Sequence, residues 1–144
     1  MADPQEDSSE PMLKFQAAML EWVSADEKFQ SSMAKLESLV DSRRSQPTDD
    51  AVLDELKGTL ADVRGELSAL VKRLDKVKAK KEEIQNYRDN NELVKKILEM
   101  VDGLGLEHKQ TGYQQMVDRI DEMRREMKLI DDDDANWWKK GGRH

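Results

Sequence analysis

The segment from Thr48 to Tyr87 carries one heptad pattern over its whole length. Its apolar residues recur at alternating spacings of three and four, which is typical of the a and d positions of a coiled coil, and Lys81 is the one interruption. A single helix through this segment would be roughly 60 Å long at ~1.5 Å per residue. We therefore expect the stripe to need a lengthwise partner and predict that it is the interface with other helical subunits. Its members are Leu53, Leu56, Leu60, Val63, Leu67, Leu70, Leu74, Val77 and Ile84.

A second stripe with the same spacing precedes it. The connector from Asp41 to Pro47 is short and polar, so the two stripes predict an antiparallel helical hairpin. Asp26 is the only polar member of this stripe, and it has two interpretations: it fixes the register, or it lies where the seam opens to water. Phe15, Trp22 and Phe29 are predicted to contribute to the partner interface. The stripe consists of Met12, Phe15, Met19, Trp22, Asp26, Phe29, Met33, Leu36 and Val40.

The pattern changes at Arg88–Asn91, which has two interpretations: the helix kinks and shifts its buried face, or it ends and the asparagines cap a new helix. Gly103 and Gly105 are expected to end that helix, and the spacing from Thr111 to Gln114 predicts the start of a last one. The sequence thus predicts an all-α fold, an elongated helical hairpin or coiled coil with one or two further C-terminal helices. The stripe predicted for the third segment is Leu93, Ile97, Met100 and Leu104, and the stripe predicted for the last is Tyr113, Met116, Ile120, Met123, Met127 and Ile130.

Three parts of the chain differ in composition. Residues 1–11 are acidic and polar and are predicted to be a flexible lead-in, residues 12–130 form the helical domain, and residues 131–144 form a tail. Only 5% of the 144 residues are aromatic and 38% are charged, so the core is expected to be thin and most helix faces solvated. The absence of cysteine and of a signal peptide favours an intracellular protein, in the cytoplasm and cytoskeleton or on chromosomes. No apolar run approaches the ~20 residues that span a bilayer.

No catalytic or metal-binding motif is present in the sequence. His108 and His144 have no carboxylate cluster at ligand spacing, and there is no phosphate-binding loop or nucleophile elbow. We therefore predict a protein that is not an enzyme and needs no metal or cofactor. The net charge of −7 argues against nucleic acid as a partner.

A basic run lies in the second half of the long helix. It has two interpretations: a contact for an acidic surface such as tubulin, or a solvated helix face. We define the basic run as Lys72, Arg73, Lys76, Lys78, Lys80 and Lys81.

The tail contains Trp137 and Trp138 between four aspartates and a basic end. Adjacent tryptophans outside a periodic pattern are typical of anchors for a partner pocket, and folding back onto the chain's own helices is the alternative.

In layout, the region from Met12 to Leu104 resembles the small coiled-coil subunits of the spindle-and-kinetochore-associated (Ska) complex. The resemblance consists of a short amphipathic helix, a turn with proline, and a long helix that opens with Leu53-Asp-Glu-Leu56 and continues through Lys81-Glu-Glu83. It implies a non-catalytic subunit of a spindle, kinetochore or microtubule assembly that acts in cell division. A homodimeric adaptor in membrane trafficking or organelle positioning is one alternative, and an actin-assembly activator that acts through the acidic tryptophan tail is another.

Overall fold

The computed structural model describes residues 9–129, and this part of the chain is almost entirely helical. We label the helices α1 (Ser9–Ser45), α2 (Asp50–Gln85), α3 (Glu92–Leu104) and α4 (Leu106–Glu126), with a 3-10 helix at Arg88–Asn90. No strand occurs among the described residues. The predicted all-α class, a helical hairpin followed by further C-terminal helices, is confirmed.

The hairpin of α1 and α2 is tighter than the sequence predicts. Helix α1 is already formed at Ser9 and continues to Ser45, so the predicted connector begins inside the helix. The turn occupies only 46–49 and contains Pro47, which cannot continue α1. Asp49 caps α2, and its carboxylate accepts hydrogen bonds from the backbone N–H groups of Ala51 and Val52 at 3.1 and 3.3 Å.

The break after α2 occurs where the sequence predicts it. Helix α2 ends at Gln85, and Asn91 caps α3 by accepting hydrogen bonds from the backbone N–H groups of Leu93 and Val94 at 3.0 and 3.3 Å. Asparagine is among the best residues for this position because its side-chain oxygen satisfies N–H groups that have no partner within the helix.

The predicted start of the last helix at Thr111 is wrong. Gly105 alone separates α3 from α4, with a φ of 63° that a residue with a side chain rarely adopts. This one left-handed residue redirects the chain, so α4 begins at Leu106. The Thr111 hydroxyl donates instead to the carbonyl of Glu107, one turn earlier in the same helix, at 3.2 Å.

Helices α3 and α4 together form a third helical segment beside the hairpin, which we call the third leg. Helix α4 starts near the end of α2, where Lys78 lies 2.9 Å from Glu107, and it runs parallel to α1, from Trp22 opposite Tyr113 to Arg44 opposite Glu126. Helices α3 and α4 have 13 and 21 residues, against 37 in α1 and 36 in α2. Together they have nearly as many residues as each hairpin helix, and one apolar core runs through all four helices.

Candidate partner interface

The stripe of α2 that the sequence assigns to a partner interface lies in the chain's own core. Val63, Leu67 and Leu70 are 0% exposed, and Leu53 at the start of α2 is half-buried. The expectation that another chain must cover this stripe is corrected by the structure, because α1 and the third leg cover it from within the same chain. The remaining buried members are Leu56, Leu60, Leu74, Val77 and Ile84.

The predicted aromatic residues of α1 belong to the same core. Phe15, Trp22 and Phe29 are all buried. The Trp22 indole N–H donates to the Tyr113 hydroxyl at 3.0 Å, which joins α1 to α4. These side chains hold the third leg in place rather than presenting a surface to another protein.

Asp26 completes this connection between α1 and α4. The Tyr113 hydroxyl donates to the Asp26 carboxylate at 2.7 Å, so the hydroxyl accepts one hydrogen bond and donates another. Burial, and then the bond to Asp26, raise the pKa of Tyr113 above its ordinary value, which keeps the hydroxyl protonated. Of the two interpretations of Asp26, the contact supports the one in which it fixes the register between helices.

Ion pairs on the surface follow the same α1 and α4 contact. Arg119 pairs with Glu37, and Arg44 pairs with Glu126 and with Asp41. The hydrogen bond from Arg44 lowers the pKa of Glu126 below its ordinary value. Because these side chains are partly exposed, the pairs orient the helices more than they stabilise the fold.

Four of the six cations in the basic run contact carboxylates of the same chain. Lys76 lies 3.6 Å from Glu21 and Lys78 lies 2.9 Å from Glu107. Lys80 is 3.4 Å from Glu83, and Lys81 is 2.8 Å from Asp102, where it lowers the pKa of that carboxyl. Lys72 and Arg73 are exposed on α2. The run therefore does not form one continuous cationic face, although contact with an acidic surface remains a prediction.

The stripe predicted for α3 is wrong as a buried face. The core contacts come from Val94, Leu98 and Val101. We define the α3 face as Leu93, Ile97, Met100 and Leu104; Ile97 is half-buried, and the other three are 60%, 72% and 47% exposed. Two apolar stripes lie side by side on this short helix, and the sequence gives no means of choosing between them. The sequence contains the stripe that is buried, but which of the two stripes becomes buried depends on where α3 packs.

Helix α1 also exposes apolar side chains near its start. Leu13 and Leu20 are 65% and 72% exposed, and Val23 is 40% exposed. The sequence places these residues beside the α1 seam, in an apolar face wider than a two-stranded coil requires. In the structure they stay on the surface.

Two grooves flank α1. The groove between α1 and α2 has a volume of about 680 Å³ and is lined by small residues such as Ala25, Ala61 and Gly65 together with charged ones. The groove between α1 and α4 has a volume of about 230 Å³ and includes Gln30, His108 and Met116.

Within residues 9–129, no three histidine, aspartate or glutamate side chains are grouped to hold a metal ion. No helix in this range is long and apolar enough to cross a membrane. Trp137 and Trp138, the predicted tail anchor, lie outside the described residues, as does Ile130 of the predicted α4 stripe.

Comparison with protein-family models, with curated proteins and with solved structures finds no match to this chain. The resemblance to Ska subunits in layout therefore stays a prediction. The interface must be inferred from the chain's own surface, and the α3 face is the feature that stands out there.

Proposed function

We propose that this chain is a non-catalytic subunit of a multi-subunit assembly, and that a helix of another subunit packs along the α3 face. The observation that carries the proposal is the exposure of Leu93, Met100 and Leu104 on a helix whose neighbouring stripe is already buried in the core. A contiguous apolar surface that the fold leaves uncovered is typical of an interaction site.

The shape of the face favours a helix as the occupant. Its residues have the spacings 4-3-4 that place them along one line, as in a coiled-coil seam. From Leu93 to Leu104 the line is roughly 16 Å long at 1.5 Å per residue, about three helical turns. Lys96 and Glu99 are exposed on the same helix, so a partner helix with an apolar seam and charged margins would match.

The exposed side chains of α1 give further support. Helix α1 begins at the end of the bundle where α2 finishes, because Lys76 pairs with Glu21. Helix α3 packs near the same end, where Lys81 pairs with Asp102. Leu13 and Leu20 thus lie toward the same end of the molecule as the α3 face, and they can extend the contact with a partner.

A spindle, kinetochore or microtubule assembly is the more specific form of this proposal. It rests on the layout resemblance and on the basic run. The ion pairs from the run to Glu21, Glu83, Asp102 and Glu107 reduce the support from charge, because these carboxylates compete with an external acidic surface.

The test is purification of the native assembly with a tagged chain carrying Leu93→Gln and Met100→Gln. We expect the partner subunit to be lost from the purified complex, because polar groups would replace the apolar contacts of the seam. The melting temperature of the isolated chain should stay unchanged, since both side chains are exposed.

The matched control carries Lys95→Gln, which changes an exposed position of the same helix that borders neither the α3 face nor its charged margins. This variant should retain the partner. Loss of the partner from both variants, or retention in both, would contradict the assignment of the interface to the α3 face.

A further inference from the structure

The groove between α1 and α4 adjoins the α3 face at Leu104, and its other lining residues take no part in the proposed function. Its floor and walls include apolar atoms from Leu104, Tyr113 and Met116 and amide groups from Gln30 and Gln115. Its volume of about 230 Å³ exceeds the roughly 150 Å³ of an engineered protein cavity that binds benzene. It can therefore take an aromatic ring, and its amides can accept a hydrogen bond from an indole N–H.

Gly112 keeps this groove open. It lies in the middle of α4 and lines the groove, and a Cβ atom added there would meet nothing within 4 Å. A glycine inside a helix costs about 0.5–1 kcal/mol relative to alanine. The chain's own described packing does not require glycine here, and the missing side chain leaves room for a ring.

The chain leaves α4 through a turn. Lys128 has a φ of 60°, and the backbone N–H of Leu129 donates to the carbonyl of Arg124 at 2.8 Å. This six-to-one hydrogen bond, with a left-handed residue before its donor, is the Schellman motif that ends many helices. Leu129 is half-buried against the core, so the last described residue is directed onto the bundle rather than away from it.

The length of the following chain matches the distance to the groove. From Leu129 back to Met116 or Gly112 is 13 or 17 residues along α4, roughly 20–26 Å at 1.5 Å per residue. The eight residues from Ile130 to Trp137 can span at most about 26–29 Å. Trp137 and Trp138 are thus the first aromatic residues after α4, and they occur at the separation that reaches the groove.

Charge at the start of this path is complementary. Arg125 and Lys128 are exposed where α4 ends, Glu126 is paired with Arg44, and the tail opens with the aspartates 131–134. The helix C-terminus by itself disfavours these carboxylates, but the neighbouring cations offset that effect.

We propose that the tail folds back along α4 and that an indole ring of the Trp137–Trp138 pair docks in the α1–α4 groove of the same chain. This inference does not require a partner at the α3 face, although the groove and that face share Leu104. It resolves the two interpretations of the tail in favour of the chain's own helices.

Disulfide trapping in the full chain tests the proposal, because the sequence has no cysteine of its own. A variant with Gln115→Cys and Lys139→Cys is oxidised with diamide at low protein concentration. We expect an intrachain disulfide on a non-reducing gel. The control pairs Lys139→Cys with Ala61→Cys, an exposed position in the groove between α1 and α2, and it should trap poorly.

Adding Gly112→Leu to the first cysteine pair should abolish the trapping by filling the groove. Leucine is also a better helix former than glycine, so circular dichroism should show an intact fold. Equal trapping in the Gln115 and Ala61 pairs, trapping that survives Gly112→Leu, or a disulfide formed only between chains would each overturn the proposal. The substitutions on α3 can remove the partner without changing the disulfide trapping. Each proposal can therefore fail while the other stands.

Discussion

At the scale of single residues, Tyr113 is the side chain that most defines this fold. Its hydroxyl accepts from Trp22 and donates to Asp26, and so it ties α4 to α1 through two hydrogen bonds. The sequence identifies Asp26 as an exceptional polar member of an apolar stripe. It does not reveal its partner, because Tyr113 lies 87 residues away and a contact at that separation depends on how the helices pack.

We expect Tyr113→Phe to lower the free energy of unfolding by about 1–3 kcal/mol, because the buried Trp22 N–H and the Asp26 carboxylate each lose a partner. Urea unfolding followed by circular dichroism measures this. The matched control is Tyr87→Phe, which removes a hydroxyl from a half-buried tyrosine after α2. If both variants lose the same free energy of unfolding, the hydrogen bonds to Trp22 and Asp26 contribute no more to stability than the hydroxyl of Tyr87 does.

At the scale of elements, helix boundaries were predictable where a side chain caps the helix. Asn91 caps α3 as expected, and Asp49 caps α2 one residue after Thr48, where the heptad pattern begins. The start of α4 was missed because Gly105 redirects the chain without any side-chain cap. The buried face of α3 was missed for a different reason: Leu93 and Val94 are neighbours in the sequence and equally apolar, and only packing decides which one is covered.

Substitutions at two glycines of α2 test how much these residues lower the stability of the helix. Gly58 and Gly65 lie in α2, and a Cβ atom at either would meet nothing within 4 Å. We expect Gly58→Ala and Gly65→Ala each to raise the free energy of unfolding by about 0.5–1 kcal/mol, because alanine loses less backbone entropy in a helix. Thermal melts of the single variants measure this.

Gly105→Ala is the contrasting substitution. Its φ of 63° is strained for alanine, so the free energy of unfolding should fall by roughly 1–2 kcal/mol. A gain in stability from Gly105→Ala would mean that α3 and α4 do not meet at a left-handed residue.

At the scale of the whole molecule, the apolar stripes predicted the class of fold. They did not predict whether another chain or another part of the same chain covers them. The stripe that includes Leu67 and Leu70 specifies a lengthwise neighbour, and the spacing is the same whether that neighbour is another chain or a later part of this one. Helices α3 and α4 are each too short to suggest a neighbour for all of α2, and only together, joined at Gly105, do they have nearly as many residues as α2. That arrangement depends on a single backbone conformation, which periodicity does not report.

The central claim is that one chain buries its own long stripe. The most direct measurement is thermal unfolding of the isolated protein by circular dichroism over about a hundredfold range of protein concentration. The account predicts a cooperative transition of a helical protein whose midpoint does not change with concentration, because every contact in the core lies within one chain. A midpoint that rises with concentration, or a chain that is unfolded when alone, would contradict it and return the α2 stripe to an interface between chains.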